Sequence, residues 1–224
     1  MMIDINYILI VLGVILISMT LHEAMHGFVA YYLGDDTAKA EGRLTLNPIK
    51  HIDPFLTIIL PLSLALVGAP IFGGAKPVPF NPSMVRHGEW GVALVALAGP
   101  LTNLLIAFVS FGLLMIIERP SASGLVHTLG ISTTISDLGM ILVISVFVNL
   151  GFFIFNMLPI PPLDGSRFMY ALAPEFVRRG MEAVERFGVI VIFMLVLVAS
   201  PFIGEMMSVF MSSIFRLFGL IFGL

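Results

Sequence analysis

Charged side chains are nearly absent from five long stretches of this chain, and those stretches set its architecture. Residues 5–32, 90–117, 137–158, 186–203 and 204–224 are runs of apolar side chains relieved mainly by Gly, Ser, Thr and Asn. A helix crossing hydrocarbon needs about 20 such residues, so the first three are long enough and the last two are marginal. Pro201 and the Gly204-Glu205 pair divide the marginal two and predict a tight hairpin. Glu205, Ser208, Ser212 and Arg216 recur at helical spacing, a pattern that also suits a final helix lying in the interface. A sixth run, 54–72, carries Pro61 and Pro70 and reads as a short span or a re-entrant segment.

Between these runs, 35–53 is loop-like and mixed in charge, 73–88 is rich in Gly and Pro, and 119–136 is rich in Ser, Thr and Gly. The connection 159–185 opens on a proline cluster and carries Arg178-Arg179, which reads as a cytoplasmic anchor. No repeat or low-complexity tract appears, so residues 1–224 read as one membrane domain. Composition agrees: only 11% of residues are charged, against roughly 25% in soluble domains. Mean hydropathy is +1.07. The expected fold is all-α and polytopic, with five to six transmembrane helices and a re-entrant or β-like segment after the first. A formal net charge of -3, thinly spread, gives no footing for nucleic acid. With no cysteine, disulfides and thiolate metal sites are excluded. Met1 to Asn6 lacks a basic n-region, so the first apolar run is expected to be a retained helix.

One polar cluster stands inside the first apolar run: His22-Glu23-Ala24-Met25-His26. Ionisable groups at membrane depth are costly and are read as functional by default. On a helix the four-residue spacing puts both imidazoles on one face, where they can hold a zinc ion. The intervening Glu23 is then placed as a general base. Catalytic zinc usually has three protein ligands and one open position. Among 14 acidic residues and five histidines, Asp164 is the strongest third candidate. It follows a helix of lipid length and the prolines 159, 161 and 162, which release backbone hydrogen bonds at that helix's end. Its other reading is a helix N-cap ahead of Gly165. His87 and His127 sit in connections and read as solvated, whereas His51 is either a loop cap or an outer-shell group.

Together, His22-Glu23-x-x-His26 and Asn156-x-x-Pro159-x-Pro161-x-Leu163-Asp164-Gly165 resemble the site-2 protease family of intramembrane zinc metalloproteases. Gly99-Pro100-Leu101-Thr102-Asn103 resembles the family's third element. Gly74-Ala75-Lys76-Pro77-Val78-Pro79 and the run from His51 to Pro54 look like its smaller prokaryotic members, which have no PDZ or CBS domain. The resemblance covers about residues 5–170, leaving 186–224 as accessory helices. It implies one zinc ion per chain on His22, His26 and Asp164, with Glu23 as catalytic acid/base. It further implies that Asn103, and with less support Asn156, stabilises the reacting carbonyl. The implied partners are membrane protein substrates with transmembrane helices, cut within the bilayer of the cell membrane.

Other readings of these residues stand beside it. Asn103 and Asn149 also fit as polar glue between helices, Asn156 as a partner for freed backbone, and Gly99 and Gly112 as packing positions. A zinc transporter would need ligands at successive depths on several helices, whereas this chain offers one cluster and one remote Asp. An inactive homologue of the same fold is disfavoured by the intact Glu23. A prenyl-peptide zinc protease should bring a further acidic helix motif, which is missing.

Completing the site constrains topology. Both ligand regions lie near the C-terminal ends of their helices, so those helices must be parallel and an odd number of crossings must separate them. Segment 90–117 supplies one, which makes 54–72 re-entrant. Lys39, Arg43, Lys50, Lys76, Arg86, Arg167, Arg178, Arg179 and Arg186 then share a side against Arg119, with Arg216 inside the last segment and assigned to neither side. A spanning 54–72 would split the same ten residues four against six. The positive-inside rule makes the crowded side cytoplasmic, with the site nearer to it. Residues 73–80 are β-compatible and could pair with an extended substrate, and 186–224 are placed where a lateral gate would be.

Overall fold

The computed structural model describes residues 5–59, 62–63, 74–118 and 136–223. Its helices are α1 (Ile5–Tyr32), α2 (Thr37–Ala40), α3 (Gly88–Glu118), α4 (Asp137–Asn156), α5 (Asp164–Leu172), α6 (Glu175–Glu185) and α7 (Val189–Phe222). A 3-10 turn, Pro48–His51, and a π-helical turn, Pro54–Ile59, lie between α2 and α3. Four helices are long and apolar enough to cross a membrane among the described residues: α1, α3, α4 and the Phe202–Phe222 part of α7. The chain is an all-α polytopic membrane protein.

Most of the burial along α1 falls on one stripe, Val11, Ile15, Ser18, Met19, His22, His26 and Ala30, while Thr20, Ala24 and Gly27 are buried on a second face. Gly34, at φ 105°, ends this helix, and the Asp35 N–H caps the Ala30 carbonyl at 3.0 Å. α4 starts at Ser136, whose hydroxyl accepts the Gly139 N–H at 3.0 Å. Helices α1, α3 and α4 pack on one another. Ser110 meets Ser145 at 2.9 Å while Asn103 meets Asn149 at 2.7 Å, so α3 and α4 are antiparallel. Ile144 packs among Val11, Ile15 and Met19, and Asn149 reaches Ser18, so α4 runs parallel to α1. That is the direction the ligand argument requires. Lipid tails give these helices little hydrophobic reason to associate, and interhelical hydrogen bonds add only about 0.6 kcal/mol each on average, so close packing carries the bundle.

Two expectations change. Segments 186–203 and 204–224 do not form a hairpin; α7 continues through Pro201 as a single 34-residue helix. A proline deletes one intrahelical bond, whereas opening a turn in hydrocarbon would strand several backbone groups without water. Glu205, Ser208, Ser212 and Arg216 form an exposed face of this helix. Its aromatic face carries Phe215, Phe218 and Phe222 onto Phe111 of α3. A Cβ on Gly112 would lie 2.7 Å from the Phe222 ring, so this glycine is a packing position as expected.

Secondly, residues 74–80 are not a strand; they run extended beside α1, with Ala75 buried against Val11, Ile15 and Met19. Most of 54–72, along with His127, lies outside the described residues. Its flanks nevertheless meet: the Thr57 hydroxyl donates to the Gly74 carbonyl at 2.7 Å, and the Lys76 N–H to the His51 carbonyl at 2.8 Å. The chain therefore leaves and rejoins the bundle at one place. Asp35 accepts the Asn81 N–H at 2.6 Å and anchors the far end of the extended run. Burial pushes the Asp35 carboxyl up, but the hydroxyl of Thr37 and the Asn81 and Thr37 N–H groups outweigh it and hold it below the usual carboxylate range.

Candidate active site

His22 and His26 occupy the buried stripe of α1, one turn apart, with ring centroids 4.7 Å apart and planes near perpendicular. Asp164 opens α5, and its Oδ2 lies 3.1 Å from His22 Nε2 and 3.5 Å from His26 Nε2. Leu163 holds the N-cap position and Asp164 is the first helical residue, so the N-cap reading fails and the carboxylate is turned to the imidazoles. Gly165 permits this placement. A Cβ there would sit 2.4 Å from the Met157 carbonyl oxygen, so only glycine lets the start of α5 tuck under the end of α4.

The hydrogen-bond network fixes which ring nitrogens face inward. The Ser145 carbonyl can only accept, so the Asn149 Nδ2 donates to it at 2.8 Å and presents its Oδ1 to Asn103. Asn103 must then donate through Nδ2 and offer Oδ1 to His22 Nδ1, 2.6 Å away, which makes that nitrogen the protonated one. His26 Nδ1 likewise donates to the Val95 carbonyl at 2.7 Å. Both Nε2 atoms therefore converge on one carboxylate oxygen, an arrangement that calls for protons or a metal cation between them.

All three ligand atoms lie within 4.8 Å of one another. An ion with bonds of 2.0–2.2 Å and tetrahedral angles sets its ligand atoms roughly 3.3–3.5 Å apart, so the donor set suits zinc. The Asp164 side chain keeps 22% of its surface exposed, against 4% for His22, so the site opens on the aspartate side. Glu23, beside the first ligand, accepts the backbone N–H of Val78 through Oε2 at 3.0 Å.

Asn103 is fully buried behind His22, on the ring edge turned away from Asp164. Its carboxamide is engaged by His22 and Asn149, where it orients a ligand; the oxyanion role implied by the family resemblance is not the contact seen. Partners of this kind set ligand tautomer and basicity. Asn103→Ala is expected to weaken zinc binding about 10–100-fold, the usual loss for such a partner. Competition against a chelating dye would read this, and unchanged affinity would refute it.

Asn156 donates to the Phe152 carbonyl of its own helix and serves local backbone. His51 is buried and donates through Nε2 to the Thr45 carbonyl at 2.8 Å, the loop-bracing alternative. His87 is exposed in the turn before α3. Ser18 and the Val95 carbonyl have no counterpart in the sequence reading, although Ser18 lies one turn before His22, whereas Asn149 acts as the interhelical glue expected of it by bonding Asn103 and Ser18. Gly99 is a close-approach position, as expected, and what it packs against is the pair of metal-binding imidazoles. A Cβ on it would lie 2.4 Å from His26 Nε2 and 2.6 Å from His22 Nε2, so it is the wall of the metal site.

Comparison with known proteins agrees with this chemistry. The model of "Peptidase family M50" matches residues 9–199. A Bacillus subtilis (strain 168) protein named "Putative zinc metalloprotease YwhC" is 42% identical over 212 residues, covering 93% of this chain and 90% of the relative. A Mycolicibacterium smegmatis protein named "Putative zinc metalloprotease Rip2" is 33% identical over 193 residues, covering 85% of this chain and 67% of its own. No solved structure matches. With a family match over most of its length and a zinc-type triad beside a glutamate, the chain belongs to peptidase family M50, the site-2 protease family of zinc metalloproteases.

Proposed function

We propose that this chain is an intramembrane endopeptidase that hydrolyses peptide bonds in or near the transmembrane segments of other membrane proteins. One observation carries the reading: His22, His26 and Asp164 converge beside Glu23 on a helix apolar enough to span a membrane. His22 lies 17 residues, about 26 Å, from the start of α1 and about 15 Å from its end. The loops bearing Lys39, Arg43, Lys50, Lys76 and Arg86 fold against that end of α1 or follow from it. By the positive-inside rule the site opens toward the cytoplasm.

Zinc, when bound, supplies Lewis acidity that lowers the pKa of a water and polarises a carbonyl. The chain's own groups do the rest. His22 and His26, locked by Asn103 and the Val95 carbonyl, present their Nε2 atoms without reorganisation. As the water oxygen bonds to the scissile carbonyl carbon, Glu23 takes its proton; as the C–N bond breaks, Glu23 delivers that proton to the leaving nitrogen. A peptide bond inside a helix is shielded by its own turns, so the substrate must unwind locally before it enters.

The test is purified protein with a labelled transmembrane peptide in detergent or proteoliposomes. Cleavage is expected with zinc, to be lost on chelation, and to return when zinc is restored. Zinc flux across proteoliposomes with no peptide cut would overturn the reading in favour of transport.

A further inference from the structure

Helix α6 has its polar side turned to the protein and its apolar side turned away. At about 100° per residue, Glu175, Arg178, Arg179, Glu182, Glu185 and Arg186 fall within an arc of roughly 120°. Phe176, Val177, Met181, Val184 and Phe187 fill the opposite arc. The polar arc rests on α5. Arg167 pairs with Glu185, and the Tyr170 hydroxyl donates to Glu182 at 2.6 Å. Arg178 donates to the Ala173 carbonyl at 2.9 Å and the Ala171 carbonyl at 3.3 Å. No residue of α6 is buried. Phe176 is 77% exposed and Phe187 64%, with Val177 and Val184 exposed beside them.

A surface helix of a water-soluble protein shows the reverse sidedness. Continuity with the bilayer says what covers this one. At 11 residues, about 16 Å, α6 is too short to span. Gly188, at φ 51°, turns the chain from it straight into α7, which is apolar enough to cross from Phe202 to Phe222. Phe168 of α5 packs at 6.3 Å on the exposed Trp90 at the start of α3, and tryptophan concentrates at the membrane–water boundary. A second copy is a poor occupant. Two faces about 16 Å long and 10 Å wide bury far less than the roughly 1,200 Å² of a stable interface. Glu175, Glu182 and Glu185 balance Arg178, Arg179 and Arg186, so apolar area holds the helix to lipid, not attraction to anionic headgroups.

We infer that α6 is an interfacial helix: it lies in the membrane surface beside α5, with Phe176, Val184 and Phe187 among the acyl chains and its charged arc clamped to the protein. Through Arg167 and Tyr170 this ties α5, the helix that opens on Asp164, to the bilayer surface. The placement does not depend on peptide cleavage.

The chain has no cysteine, so single thiols can be placed on it without background. Phe176→Cys and Val184→Cys sample the apolar arc, and Arg179→Cys samples the polar one. All three side chains are exposed, so each exchange leaves the packed core untouched. Full-length protein is reconstituted into phosphatidylcholine liposomes, and alkylation of the accessible fraction by a charged maleimide is timed. The apolar-arc thiols are expected to react about tenfold more slowly than the thiol at position 179, a difference that disappears in sodium dodecyl sulfate. A fluorophore on each thiol is then exposed to lipids spin-labelled near the headgroup. Quenching on the apolar arc is expected to exceed that at position 179 about threefold, at any protein-to-lipid ratio. Replacing about a third of the lipid with phosphatidylglycerol should change neither result. Equal alkylation rates place α6 in water and overturn the inference. Slow alkylation without lipid quenching marks a face covered by protein and overturns it too, as does insertion that needs the anionic lipid.

Discussion

Glu23→Gln is expected to abolish cleavage of a transmembrane peptide while leaving one zinc ion per chain bound. Glutamine has nearly the shape of glutamate, and its carbonyl oxygen can still accept the Val78 N–H. What it loses is the capacity to accept and return a proton at neutral pH. General acid–base catalysis contributes typically about 10²–10⁴ in rate, and here one group serves both steps, so the loss falls at the upper end. Zinc should remain because the metal-binding cluster is His22, His26 and Asp164 without Glu23. Turnover and metal content of the same preparation decide the matter together. Cleavage that survives the change removes Glu23 from the chemistry; zinc lost along with cleavage makes Glu23 a ligand.

The site was legible in the sequence to the extent that it consists of ionisable groups in apolar surroundings. His22, Glu23 and His26 stand out because little else in the first helix carries charge, and Asp164 because prolines release the backbone just before it. The supporting groups were not legible, for a reason particular to membranes. In a soluble helix one polar face reveals how the helix is rotated toward the core. α1, α3 and α4 are apolar on every side, so their sequences do not say which residues of α3 face α1. That rotation decides whether Asn103 meets an imidazole or a substrate, and whether Asn149 joins a network or merely packs. α7 shows the same limit from another direction. Pro201 marked a plausible break, yet a break costs more in lipid than in water, and the helix continues.

Gly99→Ala, the smallest change available in the bundle, is expected to remove both zinc and activity. Its added methyl would enter 2.4 Å from His26 Nε2, 2.6 Å from His22 Nε2 and 2.6 Å from His26 Cε1. Contacts this short can be relieved when the neighbour is the free end of a flexible side chain. Neither imidazole is free: His22 is held by Asn103 at 2.6 Å and His26 by the Val95 carbonyl at 2.7 Å. Swinging either ring away breaks a buried hydrogen bond and turns Nε2 from the position that faces Asp164. Zinc would bind each Nε2 at about 2.0–2.1 Å, so the methyl and the ion would contend for one space. Moving α3 away instead would separate it from α1 along the whole face that includes Val92, Val95 and Ala30. Each way of absorbing the methyl damages the metal site, so zinc content is expected to fall from one per chain to near zero. Gly112→Ala, which crowds only the Phe222 ring, should keep its metal. Metal analysis of the two purified variants makes the comparison, and a Gly99→Ala protein that holds zinc and cuts peptide at the wild-type rate would refute the close approach of α3 to the ligands.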